Sequence, residues 1–330
     1  MATLPIDDNL VSKFRPTKVL RDVEKGKKIT SVNFDDSGEL CLCCSTDDML
    51  HLYNCTTGKF VRSFASKKYG AHLACFSHHS TSTVYASTKE GDTLRFLDLN
   101  SNRYIRYFVG HKDKVISLDV SPVDELFLST SLDNTLRLWD MRSSTCQGLL
   151  NITSPAVAAF DATASLFAVA SLSTLTISLY NIKSFDLKPF QQFSFPKPPY
   201  GVTVSHIEFS TDGECILLSL SSGGFLVLNA YTGKVMLQNQ DQSASVTEES
   251  LKYSSACLTP DSKYVFGRED NKHVAVYNLH DNSRHSSLQR PICQLDMDME
   301  VPSIIRFNPR YAEFITAVDD SLTFWTSDVS

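Results

Sequence analysis

The chain has 330 residues, of which 42% are apolar and 21% are charged, a composition typical of a folded globular protein. Its formal net charge of −6 argues against direct binding of nucleic acid, because that binding depends on neutralising phosphates. The nine cysteines show no disulfide framework, which favours a reducing compartment, and the sequence predicts neither a secretory signal nor a membrane-spanning segment.

After a short apolar run at 14–23, the chain repeats one pattern of short strands and polar turns. Each copy ends on an aromatic residue or a leucine, and these positions are Tyr53, Leu97, Trp139, Tyr180, Leu228, Tyr277 and Trp325. Successive positions are 44, 42, 41, 48, 49 and 48 residues apart. A period in the forties built from short strands is typical of a propeller of WD repeats.

A polar turn upstream of each end position gives a second landmark, as in FDDSGE (34–39) and FNPRYA (307–312). The turn precedes its end position by 18 to 21 residues in all seven copies. We therefore predict one domain over 1–330 with seven blades, near 29–65, 71–108, 115–152, 156–195, 204–238, 254–290 and 303–326.

Each blade is expected to have four strands. In blade 3 they are predicted at Val115–Val120, Leu126–Ser131 and Thr135–Trp139, with an outer strand near Gln147–Ile152. Blade 7 lacks an outer strand of its own after Trp325, and the run at 14–23 is spare and sufficiently apolar to supply it. The predicted fold is thus an all-β, seven-bladed WD-repeat propeller whose ring is closed by the N-terminal strand pairing with the last blade.

Residues 110–140 carry the fullest form of the repeat, beginning with Gly-His and ending with Trp-Asp. By resemblance to WD repeats, four side chains in it are expected to form a buried hydrogen-bonded chain: His111, Ser131, Asp133 and Trp139. Their donors and acceptors are complementary, and a buried polar group without a partner is costly. A nucleophilic triad is the alternative, which we disfavour because these residues are tied to a repeat position.

No catalytic, cofactor-binding or metal site is predicted. CLCC (41–44) contains a formal Cys-x-x-Cys, but it lies on a predicted strand and has no second ligand pair at zinc-site spacing. We interpret its thiols as buried small side chains, and His78-His79 as part of a solvated turn. An enzyme acting on the propeller axis is disfavoured, since no cluster of ligands or acid–base groups can be assembled there.

Two stretches mix cations with aromatic residues, the combination enriched where proteins bind proteins. They predict a partner-binding surface formed by Lys67, Lys68, Tyr69, Arg103 and Arg106. The alternative for Tyr104 and Tyr107, which lie in the same stretch, is that they pack an outer strand.

Several segments resemble one particular family: SKKYG (66–70), NRYIRYFVGH (102–111), SPVDELFLSTSLDNTLRLWD (121–140), CQGL (146–149), KSFDLKPF (183–190) and FNPRYAEF (307–314). They are similar to the WD-repeat subunit shared by the COMPASS histone methyltransferase and the cleavage and polyadenylation factor. The similarity runs in order over essentially the whole chain. Generic WD repeats explain the Gly-His and Trp-Asp positions but leave the segments SKKYG, YIRYF and CQGL unexplained.

The resemblance implies a nuclear, non-enzymatic adaptor without cofactors. Its expected partners are protein subunits of COMPASS, of the cleavage and polyadenylation factor with its type-1 phosphatase module and scaffold, or of both. Those assemblies serve histone methylation, mRNA 3′-end formation and transcription termination. The alternative is a WD-repeat adaptor of another class, such as a ubiquitin ligase substrate receptor, which has the same fold but lacks the quoted segments.

Overall fold

The computed structural model describes residues 6–171, 174–185, 188–196, 202–239, 254–269, 272–280, 290–297 and 302–327. Helix α1 (Asp8–Ser12) and strand β1 (Phe14–Leu20) come first in the chain. No helix among the described residues has the length and apolarity to cross a membrane. The chain divides into two compact units, Ile29–Lys197 and a second that joins Met1–Lys28 to Pro198–Ser330.

The unit Ile29–Lys197 consists of four antiparallel sheets of four strands, each strand pairing with the next along the chain. Blades 1 and 2 contain β2 (Ile29–Phe34), β3 (Leu40–Ser45), β4 (Met49–Asn54), β5 (Lys59–Ala65), β6 (His72–Phe76), β7 (Ser82–Ala86), β8 (Leu94–Asp98) and β9 (Arg103–Phe108). Blades 3 and 4 contain β10 (Val115–Val120), β11 (Leu126–Ser131), β12 (Thr135–Asp140), β13 (Cys146–Asn151), β14 (Ala156–Phe160), β15 (Leu166–Ser171), β16 (Thr176–Asn181) and β17 (Gln191–Ser194). A 3₁₀ turn, Ile182–Ser184, follows β16.

Short polar turns set the length of these strands. Asp48 and Asn134 lie between the second and third strands of blades 1 and 3 and have φ values of 64° and 61°. Asp and Asn tolerate this left-handed backbone better than other residues with side chains, because their short side chains bond locally. These two turn residues therefore end the second strand of each blade and begin the third.

Polar side chains of the inner strands bond the backbone of the following blade. The Phe76 N–H donates to Asn33 Oδ1 at 2.9 Å, and the Phe160 N–H donates to Asp119 Oδ2 at 2.7 Å. An inner strand has one unpaired edge, so these side chains satisfy backbone donors that would otherwise lack partners.

The apolar core lies between successive sheets. In the seam between blades 1 and 2, Leu52 and Phe64 belong to one buried cluster with Tyr85 and Leu97. Equivalent clusters join blade 2 to blade 3 and blade 3 to blade 4. Within this unit, neighbouring blades thus pack face to face across these clusters, whereas outer strands such as β5 remain largely exposed.

The second unit contains three sheets of the same kind. Its strands are β18 (Val204–Phe209), β19 (Cys215–Leu220), β20 (Phe225–Asn229), β21 (Val235–Asn239), β22 (Ala256–Leu258), β23 (Tyr264–Arg268), β24 (His273–Asn278), β25 (Cys293–Asp296), β26 (Ile304–Phe307), β27 (Glu313–Val318) and β28 (Ser321–Ser327). Blades 5 and 6 use four consecutive strands each, whereas the last sheet has the order β1-β28-β27-β26.

Strand β1 therefore supplies the outer strand of blade 7. It pairs antiparallel with β28, from Phe14 opposite Ser327 to Leu20 opposite Leu322. The register shifts between Pro16 and Lys18, where proline cannot donate to a ladder and an edge position tolerates it. The predicted fold class, an all-β seven-bladed propeller in which the N-terminal strand completes the last blade, is confirmed.

Candidate partner-binding surface

Blade 3 contains a buried chain of polar side chains. The Trp139 Nε1–H donates to Ser129 Oγ at 2.8 Å, and His111 Nε2 lies 2.7 Å from the same oxygen. His111 Nδ1 lies 3.1 Å from Asp133 Oδ2, whose carboxylate also accepts from the Thr135 hydroxyl at 2.6 Å. The chain links the segment between β9 and β10, the second strand of blade 3, the following turn and the third strand.

The serine in this chain is Ser129, not the predicted Ser131. The two serines lie two residues apart on β11, so their side chains point to the same face of the sheet. The Ser131 hydroxyl instead donates to the Asp113 carbonyl at 2.6 Å and accepts from the Asp133 N–H at 3.1 Å. Ser131 therefore stabilises the turn, and Ser129, deeper in the strand, is the residue that the Trp139 indole reaches.

Asp133, His111 and Ser129 are connected in the order of a catalytic relay, but the site is closed to substrate. Ser129 is 1% exposed, and its oxygen already accepts the indole hydrogen bond. Burial lowers the pKa of His111 despite the Asp133 carboxylate beside it. Burial of Asp133 is outweighed by hydrogen bonds from Thr135, the Lys112 backbone and His111, which hold the pKa of that carboxyl at about 2. The relay therefore stabilises blade 3 and has no access to a reacting molecule.

Gly110 precedes this chain for a steric reason. A Cβ at residue 110 would lie 2.5 Å from Arg137 Nη1 and 3.0 Å from the Trp139 ring. Glycine at this position therefore lets the backbone pass the tryptophan, which accounts for the Gly-His pair seen in the sequence.

Blade 1 builds a related cluster from different positions. The Ser45 hydroxyl donates to Asp47 and lies 3.2 Å from His51 Nε2, and that nitrogen is 3.1 Å from Asp47 Oδ2. One ring nitrogen thus meets both partners, and all three residues are buried. The arrangement is a local hydrogen-bond network within the sheet.

The cysteines of CLCC lie on β3, with Cys41, Cys43 and Cys44 all fully buried. Burial raises the pKa of Cys41 and raises that of Cys44 to about 12, so both thiols hold their protons at neutral pH. Within the described part of the chain, no group of three or more His, Cys, Asp or Glu side chains could hold a metal ion.

His78 has a different environment from the solvated turn expected. Its Nδ1 lies 2.8 Å from Asp36 Oδ2 in blade 1, and its Nε2 lies 3.0 Å from the Asp124 carbonyl oxygen in blade 3. The imidazole therefore bridges the turns of three consecutive blades.

The main surface feature is an arginine surrounded by tyrosines at the seam between blades 1 and 2. The Arg95 guanidinium lies 3.5 Å from the centre of the Tyr69 ring, 5.2 Å from that of Tyr107 and 5.6 Å from that of Tyr104. Tyr69 is fixed by its loop, because its carbonyl accepts the backbone N–H groups of the next blade at 88 and 89, both at 2.9 Å.

A bulge in the outer strand explains why Tyr104 and Tyr107 both face Arg95. The pairing of β8 with β9 shifts register between Phe96 and Leu97, which leaves one extra residue, Ile105, on β9. Two tyrosines three residues apart then share one face, although strict alternation would place them on opposite faces. Their rings lie 5.4 Å apart, and the Tyr104 hydroxyl lies 3.0 Å from the Tyr85 hydroxyl beneath.

The five residues predicted to bind partners lie on two elements, the loop between β5 and β6 and the strand β9. Lys67, Lys68 and Tyr69 lie together in the loop between β5 and β6, where Lys68 Nζ is 3.6 Å from Glu90 and 5.1 Å from the centre of the Tyr69 ring. Arg103 is exposed on β9. Arg106 faces blade 3, where its guanidinium donates to the Met141 carbonyl, so it acts as a contact between blades. Arg95 is not predicted from the sequence, because only the tyrosines packed around it in the fold distinguish it from other arginines.

Seven four-stranded antiparallel sheets, with a Trp–Ser–His–Asp chain inside one of them, define a WD-repeat propeller. Residues 15–54 and 102–140 match the sequence profile described as WD domain, G-beta repeat. The chain is 47% identical over 358 residues to Set1 complex component swd2 of Schizosaccharomyces pombe, covering 99% of this chain and 100% of that protein. It is 34% identical over 331 residues to COMPASS component SWD2 of Saccharomyces cerevisiae, with 99% and 100% covered.

The chain is also 34% identical over 319 residues to WD repeat-containing protein 82 of Drosophila melanogaster, covering 96% of each protein. These similarities extend over the full length of the relatives, so the chain belongs to the family of WD-repeat proteins that includes these three. The family predicted from the six sequence segments is confirmed.

Proposed function

We propose that this chain is a non-enzymatic scaffold subunit of a nuclear COMPASS-type histone methyltransferase assembly. The observation that carries the proposal is the full-length similarity, 47% and 34% identical, to two relatives named as components of the Set1 complex and of COMPASS. The scaffold role requires no chemistry of its own. In blade 3, the chain of Asp133, His111 and Ser129 ends in a serine that is 1% exposed and already bonded to Trp139. The function would be to hold other subunits in place while they methylate histones.

The partner-binding surface of this scaffold would include Lys67, Lys68, Tyr69 and Arg103. Arg95 and the three tyrosines around it, Tyr69, Tyr104 and Tyr107, are called the Arg95 cage below, and Tyr107 is 45% exposed. Lys67 and Lys68 precede Tyr69 in its loop, and Arg103 lies on β9 with the other two tyrosines. Arg106 would contribute by fixing β9 against blade 3 through the Met141 carbonyl. Cationic and aromatic side chains in one place are the composition of interface hot spots.

We extend the proposal to the cleavage and polyadenylation factor with its type-1 phosphatase module, and hence to 3′-end formation and termination. Support for this extension comes from the segments SKKYG, NRYIRYFVGH and CQGL, which resemble the subunit shared by the two assemblies. The two roles are compatible, because one rigid fold with several loop faces can bind different partners in different assemblies.

The test is affinity purification of the tagged chain from nuclear extract, with quantitative mass spectrometry of the bound proteins. Methyltransferase subunits in the eluate are the expected result, and polyadenylation factors together with a type-1 phosphatase support the extension. Recovery of ubiquitin ligase subunits alone would contradict both and select the other class of adaptor.

A further inference from the structure

Within the described ranges, Arg95 is a buried cation without a carboxylate partner. Only 5% of the residue is exposed, and its Nε–H donates to Ser87 Oγ at 2.8 Å. Its two terminal nitrogens have no hydrogen-bond or ion-pair partner among the described residues, yet they keep some access to solvent. A buried guanidinium is costly unless opposite charge or hydrogen bonds compensate for its lost hydration.

The surrounding rings compensate for only part of that cost. Tyr69 covers the guanidinium plane at 3.5 Å, with Tyr104 and Tyr107 farther away at 5.6 and 5.2 Å. Aromatic rings attract a cation through their faces but accept no strong hydrogen bond. A guanidinium forms its hydrogen bonds in its own plane, at the edge where the terminal N–H groups lie. The edge of Arg95 is therefore available to an acceptor from outside the blade.

Two neighbouring lysines, Lys68 and Lys89, are already paired with carboxylates. Lys68 Nζ lies 3.6 Å from Glu90, and Lys89 Nζ lies 2.5 Å from Asp48. In the described part of the chain, Arg95 is thus a buried cation of the cage that lacks a counter-charge. One planar monoanion would balance the Arg95 charge and fit the paired N–H groups of the guanidinium. A carboxylate meets both conditions better than a phosphate dianion.

The strands around the cage fit a partner that is both acidic and apolar. Outer strands β5 and β9 carry four cations and no carboxylate, although the whole chain has a net charge of −6. Apolar side chains are exposed beside them: Val61 and Ile105 are each 48% exposed, and Val109 is 73% exposed. An acidic segment with apolar side chains would gain from charge complementarity and from burial of this surface.

We propose that Arg95 binds the carboxylate of an aspartate or glutamate in an extended acidic segment of a partner subunit. An apolar side chain of the same segment packs on Tyr107 and Ile105. The inference rests on the proposed function, which supplies the partner subunit, and it adds the chemistry by which that subunit is recognised.

The experiment uses 15-residue fluorescent peptides that tile the subunit recovered most strongly with the full chain, with binding measured by fluorescence anisotropy. At least one acidic peptide is expected to bind, and Arg95→Gln is expected to weaken it at least tenfold. Replacing the critical peptide carboxylate by its amide should cost as much, and both changes together should cost no more than either alone. Arg142→Gln is the matched control, because that side chain is 73% exposed and pairs with Asp140.

Arg95→Lys keeps the charge but removes the paired N–H geometry, so it should show the same loss and it provides a second variant if Arg95→Gln fails to fold. The proposal is overturned if the binding peptide lacks acidic residues, binds only when phosphorylated, or is indifferent to both Arg95 variants. It is also overturned if no peptide binds the wild-type chain. Absence of methyltransferase subunits from the purification would contradict the proposed function instead, and the peptides would then tile the subunit that is recovered.

Discussion

The ring of Phe14 lies 5.2 Å from the ring of Phe314, with the two planes at 75°, so the first strand and the last blade share one aromatic cluster. Phe266 and Phe307 complete it, with ring centres 5.7 and 6.0 Å from that of Phe14. Phe14 and the adjacent helix residue Val11 are fully buried. Burial of these side chains therefore adds to the backbone pairing of β1 with β28.

Replacing Phe14 by alanine should destabilise the protein by about 3–5 kcal/mol, the usual cost of removing a buried phenylalanine. Denaturant unfolding followed by tryptophan fluorescence measures the change. Val19→Ala on the same strand is the control, since Val19 is 44% exposed and should cost no more than about 0.5 kcal/mol. Similar losses for both variants would show that Phe14 does not anchor the strand.

Ser129→Ala should shift one of the two indole N–H signals in an NMR spectrum, because only Trp139 donates to Ser129. Ser131→Ala should leave that signal nearly unchanged, since the Ser131 hydroxyl bonds the Asp113 carbonyl. Loss of the Ser129 hydroxyl also leaves the buried indole without its partner, at a cost of about 1–3 kcal/mol. A shift of the Trp139 signal in the Ser131 variant alone would show that the indole bonds Ser131 instead of Ser129.

The sequence predicted the fold well, because the repeat period gives the number of blades and the apolar–polar alternation gives the position of each strand. The first two strands of blade 3 were predicted at their observed bounds, and the third ends at Asp140, one residue beyond the prediction. The sequence could not predict which serine, Ser129 or Ser131, bonds Trp139, because both lie on one face of β11. Only the position of the Trp139 indole in the folded blade distinguishes them.

His78 should titrate above the ordinary histidine pKa. Burial lowers its pKa, but the hydrogen bonds to Asp36 and the Asp124 carbonyl outweigh burial, with further support from the charge of Glu125. Because the folded pKa is raised, the contribution of His78 to stability is complete below about pH 6.5 and is lost as the pH rises through the folded value.

His78→Gln should therefore destabilise the protein at pH 5.5 by about 0.2–1 kcal/mol, the range for an exposed ion pair, and by less at pH 8.5. Unfolding of both proteins at the two pH values measures the difference. His79→Gln removes an exposed imidazole from the same turn and serves as the control. An equal effect of His78→Gln at both pH values would exclude the protonated bridge.

The thiols of Cys44 and Cys257 should resist alkylation in the native protein. Both are almost completely buried, and burial raises the pKa of each, to about 12 for Cys44, so the reactive thiolate is scarce. Mass spectrometry after iodoacetamide treatment at pH 8 should show modification of these cysteines only once denaturant is added. Rapid labelling of Cys44 in the folded chain would contradict its place in the core between blades 1 and 2.

The Arg95 cage shows where prediction from sequence ends. Arg95 and Arg137 occupy matching places in consecutive repeats, TLRFLD and TLRLWD, yet Arg137 lies by Trp139 and Arg95 lies among tyrosines. The difference arises from the loop that carries Tyr69 and from the extra residue in β9 that turns Tyr104 toward Arg95. The extra residue is a bulge in β9, and neither the bulge nor the loop conformation follows from the alternation of residue types.

The measurement that tests the central claim most directly is the stoichiometry of this chain in the methyltransferase assembly. The assembly is purified from nuclei through a tag on its Set1-type catalytic subunit, and absolute quantitative mass spectrometry counts the copies. The account predicts about one copy of this chain per catalytic subunit, retained after a high-salt wash. Its absence from an assembly that contains the other subunits would contradict the account.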